Sequence, residues 1–182
     1  MEIPFCKTLP SEELKNEVIK TLDSGWWAAG PQTELFEKEF AQYVGAEFAI
    51  FTNCCTSALK MSYKYFKELG YTKYYLNEPN TFCATYSSAE EIGLARTDKI
   101  DNKTIPVSMH YGGSFQDKPC LIEDSAHRIE KNDKWIGKIK CYSFYVTKNL
   151  PMPAGGMLVT NDKEIYERCR TYWKDGLTSS TH

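Results

Sequence analysis

Four short segments of this 182-residue chain carry side chains whose types could do chemistry together. In CLIEDSAH an apolar run ends on Asp124, which delivers a carboxylate to the end of a strand. In most settings such an Asp caps a helix or closes a turn. It is also the group a cationic ring nitrogen needs opposite it when a cofactor ring serves as an electron sink. In YSFYVTKNL, Lys148 directly follows a strand-like run of aromatic and β-branched residues. Most lysines are solvated surface charges, but an amine among apolar neighbours is more readily available to form a Schiff base. TNCCTSAL joins an apolar run to a helical pattern, and small residues there let N–H groups at a helix N-terminus cradle a phosphate. Phe82, in EPNTFCAT, serves either as core or as a plate on which a flat ring stacks.

These residues need elements to position them, and the hydrophobic pattern supplies a set. SEELKNEVIKTLDSG reads as a helix with Ser11 as N-cap and Leu14, Val18, Ile19 and Leu22 at helical spacing. A second helix around TELFEKEFAQYVG places Leu35, Phe36, Phe40 and Tyr43 on one face, and CTSALKMSYKYFKELG gives a third. Short apolar strands recur at FAIFTN, YYLNEP, IGLARTD, TIPVSMH, CLIED, KCYSFYV and GGMLVTN, and a helix over DKEIYERCRTYWKDG closes the pattern. Strands interleaved with helices predict a three-layer α-β-α fold around a mainly parallel sheet. Ligands in such sheets lie at the carboxyl ends of strands, which is where Asn53–Thr56, Asp124–His127 and Ser143–Lys148 fall.

Composition narrows the field. With 42% hydrophobic and 25% charged residues, a net charge of −2 and no basic cluster, nothing points to nucleic acid or an anionic membrane. No apolar run is long enough to span a bilayer, and the N-terminus lacks a signal-peptide pattern. Seven cysteines without a CxxC pair and only three histidines favour a reduced, metal-free, cytoplasmic protein. Cys54, Cys55, Cys83, Cys120 and Cys141 sit in apolar contexts where free cysteine packs as a small hydrophobe.

Taken in order, SGWWAAGP, FEKEFAQYVGAEFAIFTNCCTSAL, EPNTFCAT, IEDSAH, SFYVTKNL and AGGMLVTND resemble the DegT/StrS family of pyridoxal-phosphate-dependent sugar aminotransferases, a branch of fold type I. The resemblance runs from Ile3 to about Gly176 and is most specific at EDSAH and at the TKNL run followed by paired glycines. It implies that Lys148 is the lysine that holds pyridoxal phosphate and that Asp124 partners the pyridine nitrogen. His127 stands where the family has Gln or His beside the ring; a histidine starting a helix is the bland alternative. Phe82 stacks on the cofactor, while Cys55, Thr56 and Ser57 form the phosphate-binding turn, Cys55 through its backbone amide. Ser143 reaches the same phosphate. The resemblance further implies transamination of a keto-sugar nucleotide with glutamate as amino donor, and a homodimer or a complementing chain. Trp26 or Trp27 is available to stack on the substrate side, although a turn with buried aromatics fits those residues as well.

Two departures qualify that expectation. The chain is read as a single cofactor-binding domain over 1–182, opening with a helical segment over 1–30 and lacking the family's C-terminal small domain. Its middle is also abbreviated: KIDNK and DKP stand where the family has helices. A parallel crossover normally takes a dozen or more residues. Either those connections are bare loops or a strand is lost or reversed, and missing helices would expose apolar sheet surface that invites dimerisation. A catalytically impaired cofactor-binding remnant or scaffold is therefore kept as the alternative to an active enzyme.

Overall fold

The computed structural model describes residues 6–173. The elements are α1 (Glu12–Asp23), α2 (Pro31–Val44), β1 (Phe48–Thr52), α3 (Cys55–Glu68), β2 (Lys73–Leu76), α4 (Cys83–Glu91), β3 (Ala95–Arg96), β4 (Thr104–Met109), β5 (Ile122–Asp124), β6 (Ile139–Ser143), β7 (Gly156–Thr160) and α5 (Lys163–Trp173). A 3-10 turn spans Tyr111–Gly113. The last helix was expected to run to Gly176, and its final residues lie outside the described ones.

All seven strands join one sheet, in the order β1-β7-β6-β5-β4-β2-β3. Every pairing is parallel except the two made by β7, which runs antiparallel to both β1 and β6. The mainly parallel α/β expectation therefore holds. The carboxyl ends of β1, β2, β4, β5 and β6 share one edge, and β7 begins there at Gly156.

Period-two alternation sorts the strand residues onto two unlike faces. Tyr74, Ile105, Val107, Ile122, Ile139, Cys141 and Leu158 pack beneath Leu59, Tyr63 and Phe66 of α3, with α4 and α5 on the same side. The other face is covered by a single helix. Phe40, Ala41 and Val44 of α2 pack on Ala49, Tyr142, Phe144, Met157 and Val159. Leu35 and Tyr43, assigned to the inner side of this helix from sequence, are about half exposed, because the buried stripe is Phe36, Phe40 and Val44 at i, i+4, i+8.

Among the described residues the abbreviated connections carry no α-helix, only the 3-10 turn in the second, and the strands they join, β3, β4 and β5, all pair in parallel. Nor is the sheet beneath them apolar. Glu123 of β5 and Lys140 of β6 are register partners, both fully buried, 3.1 Å apart. Lys140 also reaches Asp133 at 3.0 Å, and Glu123 reaches His110 Nε2 at 2.7 Å. The segments carrying His110, Phe115, Arg128, Asp133 and Trp135 fold over this face as a polar lid in place of helices.

The first helix departs from expectation differently. Ser11 caps it as predicted, its Oγ accepting from Leu14 N–H at 3.1 Å. Yet no residue of α1 is buried, and Leu14, Val18, Ile19 and Leu22 are each more than half exposed. Its amphipathic stripe is real, but the sheet body does not cover it. A short helix, α4, went unread in the sequence, because its buried side is built from Thr85, Ser88 and Ala89 and carries no apolar period. No described helix is long and apolar enough to cross a membrane.

Candidate active site

The carboxyl edge of the sheet gathers the residues singled out by sequence. Asp124 ends β5 and is 2% exposed. Its Oδ1 accepts from Ala126 N–H at 3.0 Å and its Oδ2 from the Thr85 hydroxyl at 2.7 Å. It forms no ion pair among the described residues: Lys140, the buried cation of the next strand, points to the opposite face. Burial pushes the Asp124 carboxyl above its ordinary range, against the pull of Thr85, Ala126, His127 and Lys148. A buried carboxylate without a counter-charge is costly unless something cationic completes it.

The sign of that cost is testable. A carboxyl whose folded pKa is raised binds more protons folded than unfolded, so stability falls as pH rises through the raised value. Asp124→Asn is therefore expected to raise the melting temperature of the cofactor-free protein by a few degrees at pH 7. The gain should shrink at pH 4, where the acid is more fully protonated. An unchanged or lowered melting temperature at pH 7 would count against a strained carboxylate.

The sequence put Lys148 directly after a strand, and the strand ends earlier than that reading had it. β6 ends at Ser143, and Lys148 sits half-buried in the following turn, its N–H bonded to the Tyr145 carbonyl at 2.8 Å. Lys148 and the Asp124–His127 segment follow the carboxyl ends of neighbouring strands, β6 and β5, and the Lys148 charge acts on Asp124, His127 and Cys55. His127, three residues past Asp124, accepts the Gly112 N–H on Nδ1 at 3.2 Å. With Nδ1 an acceptor, the neutral ring carries its proton on Nε2. Burial, and then Lys148, lower its pKa below the usual imidazole range. The expected outcome is a neutral Nε2–H tautomer at pH 7, read from the ¹⁵N shifts of the ring. Shifts typical of imidazolium would contradict it.

The turn at the start of α3 is the second half of the site. The helix begins without a side-chain cap, and the turn before it is tied to β7 by a backbone bridge between Cys54 and Gly155. Only Ser57 and Ala58 bond back, to the Cys54 carbonyl. The Cys55 thiol is buried and raised well above its usual pKa by that burial, then by Asp124, so it stays protonated. The Thr56 side chain is half-buried, and the Ser57 hydroxyl is held inside the turn by Asn53 Oδ1 at 2.6 Å. β7 approaches this turn closely: a Cβ on Gly156 would lie 2.4 Å from both Cys54 C and Cys55 N. Gly156 also pairs with Ser143 of β6, so glycine here is what lets β7 lie against the turn while holding its place in the ladder.

Phe82 precedes α4 and is 60% exposed. It is an open aromatic face rather than core. Cys83, next to it, is also exposed, against the expectation of a buried thiol. Trp26 and Trp27 are exposed rather than packed in a turn. Two contributors were missed in the sequence, Thr85 and Gly156. Thr85 was hidden because α4 itself was, whereas Gly156 was visible only as one of two paired glycines.

The donor set fits one kind of group: a flat cationic ring with an anionic arm and a carbonyl that an amine can hold. Among the described residues Asp124 has no ion-pair partner, the α3 start lies at the same edge of the sheet, and Phe82 offers a face.

Comparison with known proteins agrees. The family model described as the DegT/DnrJ/EryC1/StrS aminotransferase family matches residues 9–107 and 117–182, breaking off at the shortened β4–β5 connection. The chain is 32% identical over 212 aligned residues to the spore coat polysaccharide biosynthesis protein SpsC of Bacillus subtilis, covering 98% of this chain and 54% of that one. It spans about half the length of the curated relatives it matches. Among solved structures it superposes on Helicobacter pylori PseC, an aminotransferase of pseudoaminic acid biosynthesis, with a TM-score of 0.86 at 23% identity, covering 100% of this chain and 58% of PseC. The PLP form of the putative sugar aminotransferase Spr1654 of Streptococcus pneumoniae gives 0.86 at 20% identity, covering 100% and 60%. At those identities the likeness establishes the fold.

Proposed function

This chain belongs to the DegT/DnrJ/EryC1/StrS aminotransferase family, and from that premise we propose that it binds pyridoxal 5'-phosphate at the carboxyl edge of its sheet and transfers an amino group from glutamate to a keto-sugar nucleotide. The observation that carries this reading is Asp124: a buried, doubly hydrogen-bonded carboxylate with no ion-pair partner among the described residues, at the carboxyl end of a central strand.

When bound, pyridoxal phosphate supplies the electron sink for amino-group transfer. The chain's residues do the rest. Lys148 Nζ would hold the cofactor covalently and would take and return the proton at the donor's Cα. Asp124 keeps the ring nitrogen protonated. His127 presents Nε2–H toward the ring's oxygen substituent. The Cys55 and Thr56 N–H groups, with the Thr56 and Ser143 hydroxyls, receive the phosphate. Phe82 stacks on the ring and keeps water off that face.

The test is to add pyridoxal phosphate to the purified chain, record the visible absorption, reduce with borohydride and locate the added mass. Attachment at Lys148, with loss of the band on adding glutamate, is the expected result. Absence of the band, or attachment elsewhere, would overturn the reading.

A second reading is favoured by particular surfaces. Phe82, Tyr111 and Tyr145 around the site are each more than half exposed, and the apolar stripe of α1 is bare. On this reading the chain is a cofactor-binding remnant or scaffold that turns over sugars only when a second copy or a complementing chain closes the site. Turnover of a keto-sugar nucleotide by the 182-residue chain as a monomer, shown by mass measurement under assay conditions, would remove it.

A further inference from the structure

Resting on that reading of the site, we infer that Thr85, backed by Thr81, is the positioning residue that keeps Asp124 charged and aimed at the ring nitrogen. Thr85 is the third residue of α4 and fully buried. Its hydroxyl donates to Asp124 Oδ2 at 2.7 Å, and its carbonyl accepts from the buried Tyr63 hydroxyl at 2.7 Å. The Thr81 hydroxyl lies 2.8 Å from that of Thr85, against Met109 Sδ. Because Thr85 commits its only proton to the carboxylate, only Thr81 can donate between the two hydroxyls, and the Thr85 oxygen is a stronger acceptor for that proton than the Met109 thioether 2.7 Å away. The result is a one-way chain from Thr81 through Thr85 to Asp124.

The chain has a clear electrostatic task. The other titratable groups facing Asp124 are Cys55 and Tyr63 from α3, Cys141 from β6, and His127 and Lys148 from the loops. Burial keeps the Cys55 and Cys141 thiols and the Tyr63 phenol protonated. Against the burial that drives Asp124 toward its neutral acid, the Thr85 hydroxyl is the leading opposing influence, ahead of the Ala126 N–H, His127 and Lys148. A donor fixed to Oδ2 stabilises the ionised form and fixes the plane of the carboxylate. Tyr63 and the α4 backbone hold the donor itself in place. The neutral acid could no longer enforce a protonated ring nitrogen.

The experiment compares wild type with Thr85→Val, Thr85→Ser and Thr81→Val. Valine keeps the shape and deletes the donor, while serine keeps the donor and deletes a methyl. In cofactor-free protein carrying ¹³C-carboxyl aspartate, with Asp124→Asn to assign the signal, Thr85→Val should raise the Asp124 titration midpoint by about one pH unit. Thr85→Ser should leave it near wild type, and Thr81→Val should shift it upward by less. In the loaded protein, the affinity for pyridoxal phosphate should fall about tenfold in Thr85→Val and be regained in Thr85→Ser. An unmoved Asp124 midpoint in Thr85→Val would overturn the inference, as would equal effects of valine and serine, which would indicate packing alone. Should Thr85→Val fail to fold, the Thr81→Val shift decides in the same way. A wild type that takes up no cofactor would defeat the functional reading while leaving the cofactor-free titration to judge Thr85 by itself.

Discussion

Lys148→Ala is expected to give a folded chain that binds pyridoxal phosphate without covalent attachment and loses amino transfer by about 10³-fold or more. The size follows from the two tasks this amine performs, holding the cofactor and moving the proton at Cα. No neighbour can take over. Lys140 is the buried lysine of β6, but its Nζ lies on the opposite face of the sheet, bonded to Asp133 at 3.0 Å and to the Lys134 carbonyl at 2.5 Å. Stability should change little, because Lys148 is half-buried and outside the core. The variant should show no visible band after removal of free cofactor and no borohydride-fixed mass. Its melting curve should match wild type. A small primary amine added to the assay should restore part of the proton transfer, whereas Lys148→Arg, equally charged but unable to shed its proton, should not be restored. A variant keeping the band, or activity within tenfold of wild type, would move the chemistry to another residue.

The fold class was legible in the sequence, and so was the place of Asp124 at a strand end, for physical reasons. A strand that ends on a charged residue announces itself, because the apolar run before Asp124 is unmistakable and the carboxyl edge is where ligands bind in such sheets. Apolar alternation also found the seven strands, but it could not show which loops replace helices. The strand alternation did hold a signal that went unread. In LIED and IKCYS a Glu and a Lys occupy the same phase, each directly after an isoleucine in an apolar run. On adjacent parallel strands in register, that places opposite charges side by side on one face, which is what Glu123 and Lys140 do. The expectation of a bare apolar sheet failed for this reason. Two further misses share one cause: hydrophobic period reports only faces that bury large apolar groups. It overlooked α4, whose inner side is small and hydroxylic, and it promised burial for α1, whose stripe no described residue covers.

Lys140→Met is expected to destabilise the cofactor-free protein by about 3–5 kcal/mol, the cost of breaking a buried ion pair by removing one partner. For a chain of this size that is a fall in melting temperature on the order of 10 °C. Lys140 is fully buried and bridges Glu123 and Asp133, and no helix stands over this part of the sheet to repack. Glu123 accepts from Ile136 and Gly137 N–H at 2.8 and 2.7 Å, so the network also fastens the loop that covers it. Burial alone would raise the Glu123 carboxyl, yet His110, Lys140 and those two N–H groups together bring it down to about 2. A carboxylate depressed on folding contributes stability above its unfolded pKa and loses it as pH falls toward the folded value. The wild type should therefore lose about 3 kcal/mol between pH 4.5 and pH 2, a loss that Glu123→Gln should largely abolish. The double variant Lys140→Met, Glu123→Gln should be more stable than Lys140→Met alone, because it removes the stranded charge. The consequence reaches the active site, since His110 N–H bonds the Asp124 carbonyl at 3.0 Å and His110 directly precedes the turn whose Gly112 N–H orients His127. Lys140→Met should thus weaken cofactor binding as well as folding, although Lys140 touches no group of the site. If urea titration places the variant within 1 kcal/mol of wild type, the polar lid is not what secures this face, and the two shortened crossovers must be held by something else.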